Sequence, residues 1–549
     1  MEIQTFEKLE REALKKSGTD FMRLGFALFF MIAVLTFSFL SNGGVSNNMF
    51  LAVAALIGAY MAMNIGANDV ANNVGPAVGS KAMTMTVAII IAAIFEASGA
   101  LIAGGEVVKT IKKGIIDISA FGGNPDPFIW AMMAALLAAA LWLNFATMMK
   151  APVSTTHSIV GGVMGAGIAA AGFSIVSWST MAKIAASWII SPVLGGLIAA
   201  AFLFAIKKSI VFKEDKVAAA KTYVPIFVAV MSMAFITYLT LKGLKKIWPQ
   251  VVDTLNIIPL ISIEMTKKPT LLIALTLGAI VAVFVYIIVK AKIQKNLTML
   301  ENNKASVNTL FTIPLIFAAA LLSFAHGAND VANAIGPLAA INDAVVNGGI
   351  SSKASIPLWV MGVGALGIAL GLALYGPKLI RTVGSEITEL DQIRAFSIAM
   401  AASITVIIAS QLGLPVSSTH IAIGGIFGVG FLREWLHVKD SFQNTIEEDK
   451  EIIKEEKLTR DAYRIELNDL QEKDPKTPSD YERIAILYKM IKDEKKIIRN
   501  TKKHIKQTKK VQYVKRDAVK KIIAAWVITV PAAAVLAGLL FFMIKGIMA

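Results

Sequence analysis

Gly66-Ala-Asn-Asp-Val-Ala-Asn-Asn-Val-Gly-Pro76 interrupts an apolar run that begins at Met49. It returns as Gly327-Ala-Asn-Asp-Val-Ala-Asn-Ala-Ile-Gly-Pro337 after a second apolar run that begins at Thr312. An ionisable side chain at membrane depth costs about 2.5–3.5 kcal/mol on insertion scales, so Asp69 and Asp330 are functional candidates from the outset. Asn, Asp, Gly and Pro together predict a helix break at each copy, and broken backbone in a bilayer survives only where protein covers it or a polar cavity faces it. The copies lie 261 residues apart (66 and 327). A second motif, Pro152-Val-Ser-Thr-Thr-His-Ser-Ile-Val-Gly-Gly162, returns as Pro415-Val-Ser-Ser-Thr-His-Ile-Ala-Ile-Gly-Gly425, 263 residues on (152 and 415). Two motifs holding nearly one offset mark an internal duplication.

Outward from these motifs the chain is strongly apolar: 56% of 549 residues, with a mean hydropathy of +0.64 and 17% charged residues. Many windows of about 20 residues carry no charge, which is the length a helix needs to cross about 30 Å of hydrocarbon. The runs are continuous, without the ten-residue alternation of an outer-membrane barrel. The net charge of +16 sits mainly in loops between spans. That is the positive-inside bias of a membrane protein and gives no support to nucleic-acid binding. The absence of Cys excludes disulfides, iron–sulfur clusters and thiolate zinc sites. No Walker-type Gly-x-x-x-x-Gly-Lys-Ser/Thr sequence is present, so nothing points to an ATPase or another enzyme. The charged segment Met1–Asp20 precedes Phe21–Leu40, which is too long for a signal-peptide core and reads as an uncleaved first span.

The organisation follows. Residues 1–48 form a cytoplasmic N-terminus with an extra first span, and 49–207 the first transmembrane repeat. Residues 208–310 are a basic loop with connecting spans, and 311–435 the second repeat. Residues 436–520 are a cytoplasmic helical-hairpin insertion, and 521–549 the final span of repeat two. Within repeat one, Phe128–Met149 and Val153–Ala171 are separated only by Lys150-Ala151-Pro152. They form a helical hairpin that either dips in and returns or crosses twice; the parity of crossings is the same. Its counterpart occupies about 393–435. Lys183-Ile-Ala-Ala-Ser-Trp188 with Pro192 matches Lys521-Ile-Ile-Ala-Ala-Trp526 with Pro531, so the final spans correspond and repeat two carries about 75 extra residues. The extra segment is rich in Glu and Lys, with a turn at Asp474-Pro-Lys-Thr-Pro-Ser479. Ser479 with Glu482 reads as a capping box that starts its second helix. Lys495–Lys521 holds twelve Lys/Arg against one Asp, which assigns it to the cytoplasm. Counting spans from there gives a multi-pass protein of the cell (inner or plasma) membrane with its N-terminus cytoplasmic and its C-terminus outside. The 242–269 loop fits less well, with five Lys on the outer side. The fold class is therefore all-α: a polytopic membrane protein of two inverted-topology repeats with broken helices and two helical hairpins, plus a cytoplasmic charged helical insertion. That is secondary-transporter architecture.

Two Asn-Asp breaks and two Ser/Thr-rich tips converge in this reading. Helix N-termini exposed at breaks attract anions. Ser154, Thr155, Thr156, Ser417, Ser418 and Thr419 add neutral hydroxyls suited to a tetrahedral oxyanion. Asp69 and Asp330 offer hard oxygens to Na⁺, or accept protons if H⁺ is the coupling ion. A carboxylate beside an anion repels it unless a cation lies between them, which gives coupling a physical cause.

These residues resemble the inorganic phosphate transporter family. The duplicated Gly-Ala-Asn-Asp-Val-Ala-Asn and Pro-Val-Ser-Ser/Thr-Thr-His motifs carry the resemblance, which covers most of 49–435 and the last span. It implies symport of inorganic phosphate with Na⁺ (favoured here) in some members and with H⁺, or as a metal–phosphate complex, in others; the inverted repeats themselves imply alternating access around a midplane site, with no other cofactor. Carried over, it implies phosphate ligands at Asn68, Asn329, Ser154, Thr155, Thr156, Ser417, Ser418 and Thr419. It implies Na⁺ ligands at Asp69, Asp330, Asn68, Asn329, Thr155 and Ser418. Glu96 matches a position important in eukaryotic relatives, but the equivalent place near Ile368 has no acid, and Ala399 stands where those relatives have a Glu. Glu96, His157, His326 and His420 are coupling or accessory candidates; for the histidines, a proton carrier and an orienting hydrogen bond to the backbone are both open. Bland readings stand beside these: Asn as a structural cap, tip hydroxyls satisfying backbone, glycine pairs as close helix packing, 438–520 as a solvated helix pair. Sulfate permease, passive anion channel and sensor are the rival functions. The partners are phosphate, Na⁺ or H⁺, and the lipid bilayer, with no nucleic acid; a homodimer and a cytoplasmic partner of 438–520 stay open.

Overall fold

The computed structural model describes residues 2–45, 48–122, 124–149, 153–245, 247–257, 264, 266–296, 300–348, 356–386, 390–440, 443–508 and 516–548. The Lys150-Ala151-Pro152 turn, part of the 242–269 loop and part of the basic stretch before Lys521 lie outside them. The regular structure is helical, with one isolated β-bridge between Ile116 and Val176 among the described residues. α1 (Glu2–Ser41) is followed by α2 (Asn48–Asn68), α3 (Val70–Gly79), α4 (Met85–Ala103), α5 (Gly105–Lys113), α6 (Pro125–Met148), α7 (Thr155–Ala171) and α8 (Trp178–Ile206). Next come α9 (Lys216–Tyr238), α10 (Trp248–Leu255), α11 (Leu271–Asn296) and α12 (Lys304–Leu310). α13 (Thr312–Val346), α14 (Leu358–Glu386), α15 (Gln392–Gln411) and α16 (Ser418–Asp440) then repeat the first set. α17 (Gln443–Glu472), α18 (Pro478–Thr508) and α19 (Arg516–Met548) complete the chain. Among the described residues, eleven stretches are long and apolar enough to cross a membrane. The chain divides into two compact units, Met1–Val429 with Arg516–Ala549, and Gly430–Lys515.

Burial separates hub from rim within the first unit. The apolar window of α13 is 89% buried, against 17% for α11 and 22% for α19. α13 is thus enclosed by protein, while α11 and α19 present apolar side chains outward, as lipid-facing helices do.

The anticipated helix breaks are corrected here. At the first copy the interruption is one residue. Asp69 separates α2 from α3 yet keeps helical angles (φ −84°, ψ −33°), and its N–H donates to Ile65 O at 2.9 Å. The second copy has none, because α13 runs through Asn329, Asp330 and Pro337 as one helix of 35 residues. Asn and Asp disrupt helices by hydrogen-bonding their own backbone. Here several of those side chains are engaged by other helices, and that competition is removed.

The repeats are interleaved. A Cβ on Gly327 of α13 would lie 2.2 Å from Glu96 O of α4, and one on Gly66 of α2 would lie 1.9 Å from Ile368 O of α14. Each signature helix thus presses backbone to backbone on a helix of the other repeat, which only glycine allows. The returning arms cross over as well: Gly165 of α7 meets the Ala534 backbone of α19, and Gly428 of α16 meets Gly196 of α8.

In the second unit, Leu467, Leu487 and Ile491 form the seam between α17 and α18. The capping box closes two residues earlier than the Ser479–Glu482 reading. Thr477 N–H donates to Asp480 Oδ2 at 2.7 Å, and Asp480 N–H donates to Thr477 Oγ1 at 3.4 Å. Pro478 thereby takes the first helical position, where its missing N–H and fixed φ are favourable.

Candidate functional site

α7 and α16 both start at hairpin tips inside the first unit. Ser154 Oγ accepts from His157 N–H at 3.1 Å, and Ser417 Oγ accepts from His420 N–H at 3.3 Å. The two serines act as N-caps. The unpaired N–H groups and positive dipole ends come from these tips. They do not come from the Asn-Asp segments, because α13 is unbroken.

The tip hydroxyls converge on the two aspartates. Thr155 Oγ1 donates to Asp69 Oδ2 at 2.6 Å, and Thr419 Oγ1, from the opposite tip, donates to Asp69 Oδ1 at 3.1 Å. Ser418 Oγ donates to Asp330 Oδ2 at 3.1 Å. Thr156 Oγ1 donates instead to Val416 O at 2.9 Å, joining the tips directly. Ser418 stands to Asp330 as Thr155 stands to Asp69.

Two residues that the motif reading passed over complete this pattern. Asn72 Nδ2 donates to Thr419 Oγ1 at 2.8 Å. Asn333 Nδ2 donates to Thr155 Oγ1 and Thr156 Oγ1 at 3.2 and 3.1 Å. Each Asn follows its Asp by three residues, so both project from one helix face. That spacing is the signal that was legible in Asn-Asp-Val-Ala-Asn. Asn68 and Asn329 lie apart from this set. Asn329 Nδ2 donates to Ser410 Oγ at 2.9 Å, and the buried Asn68 Nδ2 has no partner within the protein.

Glu96, Asn73 and His326 form an asymmetric annex. Glu96 Oε1 accepts from Asn73 Nδ2, and Glu96 Oε2 faces His326 Nδ1, each at 2.7 Å. His326 Nε2 lies 3.0 Å from Asp330 Oδ2. Their counterparts in the opposite repeat are Ile368, Ala334 and Ile65. The three polar residues that break the duplication therefore meet one another, and through His326 they reach Asp330.

All these groups are buried. Ligand atoms of Asp69, His326 and Asp330 lie within 4.8 Å of one another, with hydroxyls bonded to both carboxylates. Oxygen donors of that kind suit a hard cation such as Na⁺. Lys112, a buried lysine, pairs with Asp343 at 3.0 Å rather than with these acids. Asp330 Oδ1, Asn329 Oδ1 and Asn333 Oδ1 are also buried with no hydrogen-bond partner within the protein. A buried centre with unpaired polar atoms and three carboxyl groups fits ions better than it fits a structural core.

Interleaved inverted repeats around a polar centre closed by two hairpin tips define a polytopic membrane transporter. The chain belongs to the phosphate transporter family, whose model matches residues 65–537. Among its relatives is a Helicobacter pylori protein named "Putative phosphate permease", 48% identical over 98% of both chains. A Haemophilus influenzae protein of the same name is 39% identical, over 69% of this chain and 87% of its own. A solved structure named "The sodium-dependent phosphate transporter" superposes with a TM-score of 0.69 and 29% identity, covering 91% of this chain and 99% of that one.

Proposed function

We propose that the protein imports inorganic phosphate across the cell membrane by Na⁺ symport, alternating access around the buried centre between the tips. One observation carries this reading: hydroxyls from both tips donate their protons to Asp69 and Asp330. A hydroxyl has one proton to donate. While Thr155, Thr419 and Ser418 give theirs to carboxylates, they have none for a phosphate oxygen. A Na⁺ on Asp69 and Asp330 takes over the carboxylate oxygens, and each hydroxyl is then free to turn its lone pairs to the cation and its proton to the anion. Cation binding thus creates the phosphate site, with Asn72, Asn333 and the N–H groups of α7 and α16 as further donors. Asn68, whose buried Nδ2 has no partner within the protein, is a further ligand, while Asn329 is held by Ser410, and Ser154 and Ser417 serve through their caps. The aspartates would repel phosphate in the absence of Na⁺, so phosphate does not move alone. The Na⁺ choice over H⁺ is supported by the oxygen-rich donor set and by the sodium dependence named for the structural relative. The N-terminus is cytoplasmic and the C-terminus outside in this proposal.

The test is ³²P-phosphate uptake into proteoliposomes under an imposed Na⁺ or H⁺ gradient, with sulfate as competitor. Concentrative uptake with Na⁺ alone is expected. Uptake driven only by H⁺ would reassign the ion, sulfate competition would reassign the substrate, and flux that no gradient drives uphill would make the protein a channel.

A further inference from the structure

His157 and His420 hold equivalent places, each the third residue of its returning arm. Their rings meet edge to face, with centroids 4.5 Å apart at 84°. The His157 ring lies 3.8 Å from that of Trp188 on α8, and the His420 ring stacks on Trp526 of α19 at 3.6 Å and 27°. Trp188 and Trp526 are themselves the matching residues of the two final spans. The result is one column, Trp188–His157–His420–Trp526, that crosses from one repeat to the other. One end is anchored: Trp188 Nε1 donates to Pro415 O of the opposite tip at 3.1 Å.

Both imidazole nitrogens of His420 are buried with no hydrogen-bond partner within the protein, and the polar group that faces the His157 ring is the Trp526 backbone at the far end of the column. The cap bonds at the tips are made by the histidine backbone N–H groups. What the rings contribute is their faces and edges: the edge-to-face His157–His420 pair has a geometry that aromatic pairs favour, and each imidazole is pressed more closely still on its tryptophan. A five-membered ring is compact enough for four rings to meet at these distances. Each histidine directly follows a tip threonine, Thr156 or Thr419.

We infer that His157 and His420 are positioning residues for transport. The column fixes one tip against the other and so sets the spacing of Thr155, Ser418 and Thr419 around the aspartates. The inference rests on the tip hydroxyls forming the substrate site. The test is phosphate uptake kinetics of ring-removing and ring-keeping variants, with melting temperature in detergent confirming equal folding. His157→Ala and His420→Ala should each raise KM for phosphate about tenfold with kcat within about twofold, the pattern of weakened ligand binding. The double variant should stay near about tenfold rather than reach the hundredfold of independent sites, because either change opens the same column. His157→Phe and His420→Phe should stay within about threefold of wild type with an unchanged pH profile, since the stacking face is kept. Phenylalanine variants as impaired as alanine ones, or a displaced pH profile, would overturn the inference in favour of a role for the nitrogens. Wild-type KM in both alanine variants would overturn it outright. If the phenylalanine variants fold poorly, Trp526→Phe against Trp526→Leu asks the same question, with the same split expected and equal impairment refuting. Thr419→Val separates the two layers, because its hydroxyl donates to Asp69. Unchanged kinetics there would overturn the site assignment and the inference with it. A failing Thr419→Val beside unimpaired histidine variants would overturn the inference alone.

Discussion

Asp69→Asn isolates the charge that the proposed coupling depends on while keeping shape and burial. In the native site both Asp69 oxygens accept hydroxyl protons, at 2.6 and 3.1 Å. The amide keeps one acceptor and turns the other into a donor that faces a hydroxyl, which can answer by rotating. The larger loss is electrostatic. The Asp69, His326 and Asp330 ligand atoms lie within 4.8 Å of one another, so a cation among them sits close to the carboxylate. Unit charges about 4 Å apart interact by about 4 kcal/mol at an effective dielectric constant of about 20. At 1.4 kcal/mol per decade, that is close to a thousandfold in Na⁺ affinity. The half-saturating Na⁺ concentration for ³²P-phosphate uptake should therefore rise by two to three orders of magnitude, beyond any usable range. Concentrative uptake should disappear while expression and melting temperature hold. A half-saturating Na⁺ concentration within about threefold of wild type, with normal uptake, would refute the coupling argument, because about 4 kcal/mol cannot vanish from a cation site unnoticed.

Three further outcomes follow from packing and charge. Gly327→Ala puts a Cβ 2.2 Å from Glu96 O, which is backbone and cannot swing away; a loss of about 1–3 kcal/mol or more is expected as a lower melting temperature in detergent. Lys112→Met leaves Asp343 buried without its cation and should cost about 3–5 kcal/mol, whereas Lys112→Met combined with Asp343→Leu should recover most of it by the same assay. Asp480 is held down to about 2, from an ordinary 3.8, by the Thr477 N–H, the Thr477 hydroxyl and Lys473. Its folded value is the lower one, so its contribution is complete above about pH 4 and is lost as pH falls toward 2. Pepsin cleavage near Thr477 should rise over that interval in the native chain and be high throughout in Asp480→Asn; identical profiles would contradict the capping role.

The membrane class, the duplication and the hairpins were legible because they depend on residue type and spacing alone. Uncharged windows of span length and two motifs at one offset need no knowledge of what touches what. The unbroken α13 was not legible. Asn and Asp are helix breakers by their local chemistry, and only partners on distant helices, such as Ser418 for Asp330, reverse that tendency. The capping box slipped by two residues because Ser479–Glu482 and Thr477–Asp480 both satisfy the pattern, and Pro478 decides between them. Asn72 and Asn333 stood in plain view within the motif, but their aim depends on helix phase relative to a tip far along the chain. Interleaving was invisible for a related reason: a glycine shows that a backbone comes close, not which one.

The crossing of returning arms over to the opposite final spans sets an order of assembly. α7 has 17 residues, and the backbone it seats on belongs to Ala534. During synthesis it must wait for more than 350 further residues, including the whole polar 430–515 segment, before that surface exists. Until α19 enters the bilayer, the face of α7 at Gly161 and Gly165 lacks the backbone it seats on. A chain arrested before α19 would therefore lose more than a peripheral span: the seat of its first returning arm, made early, would never form.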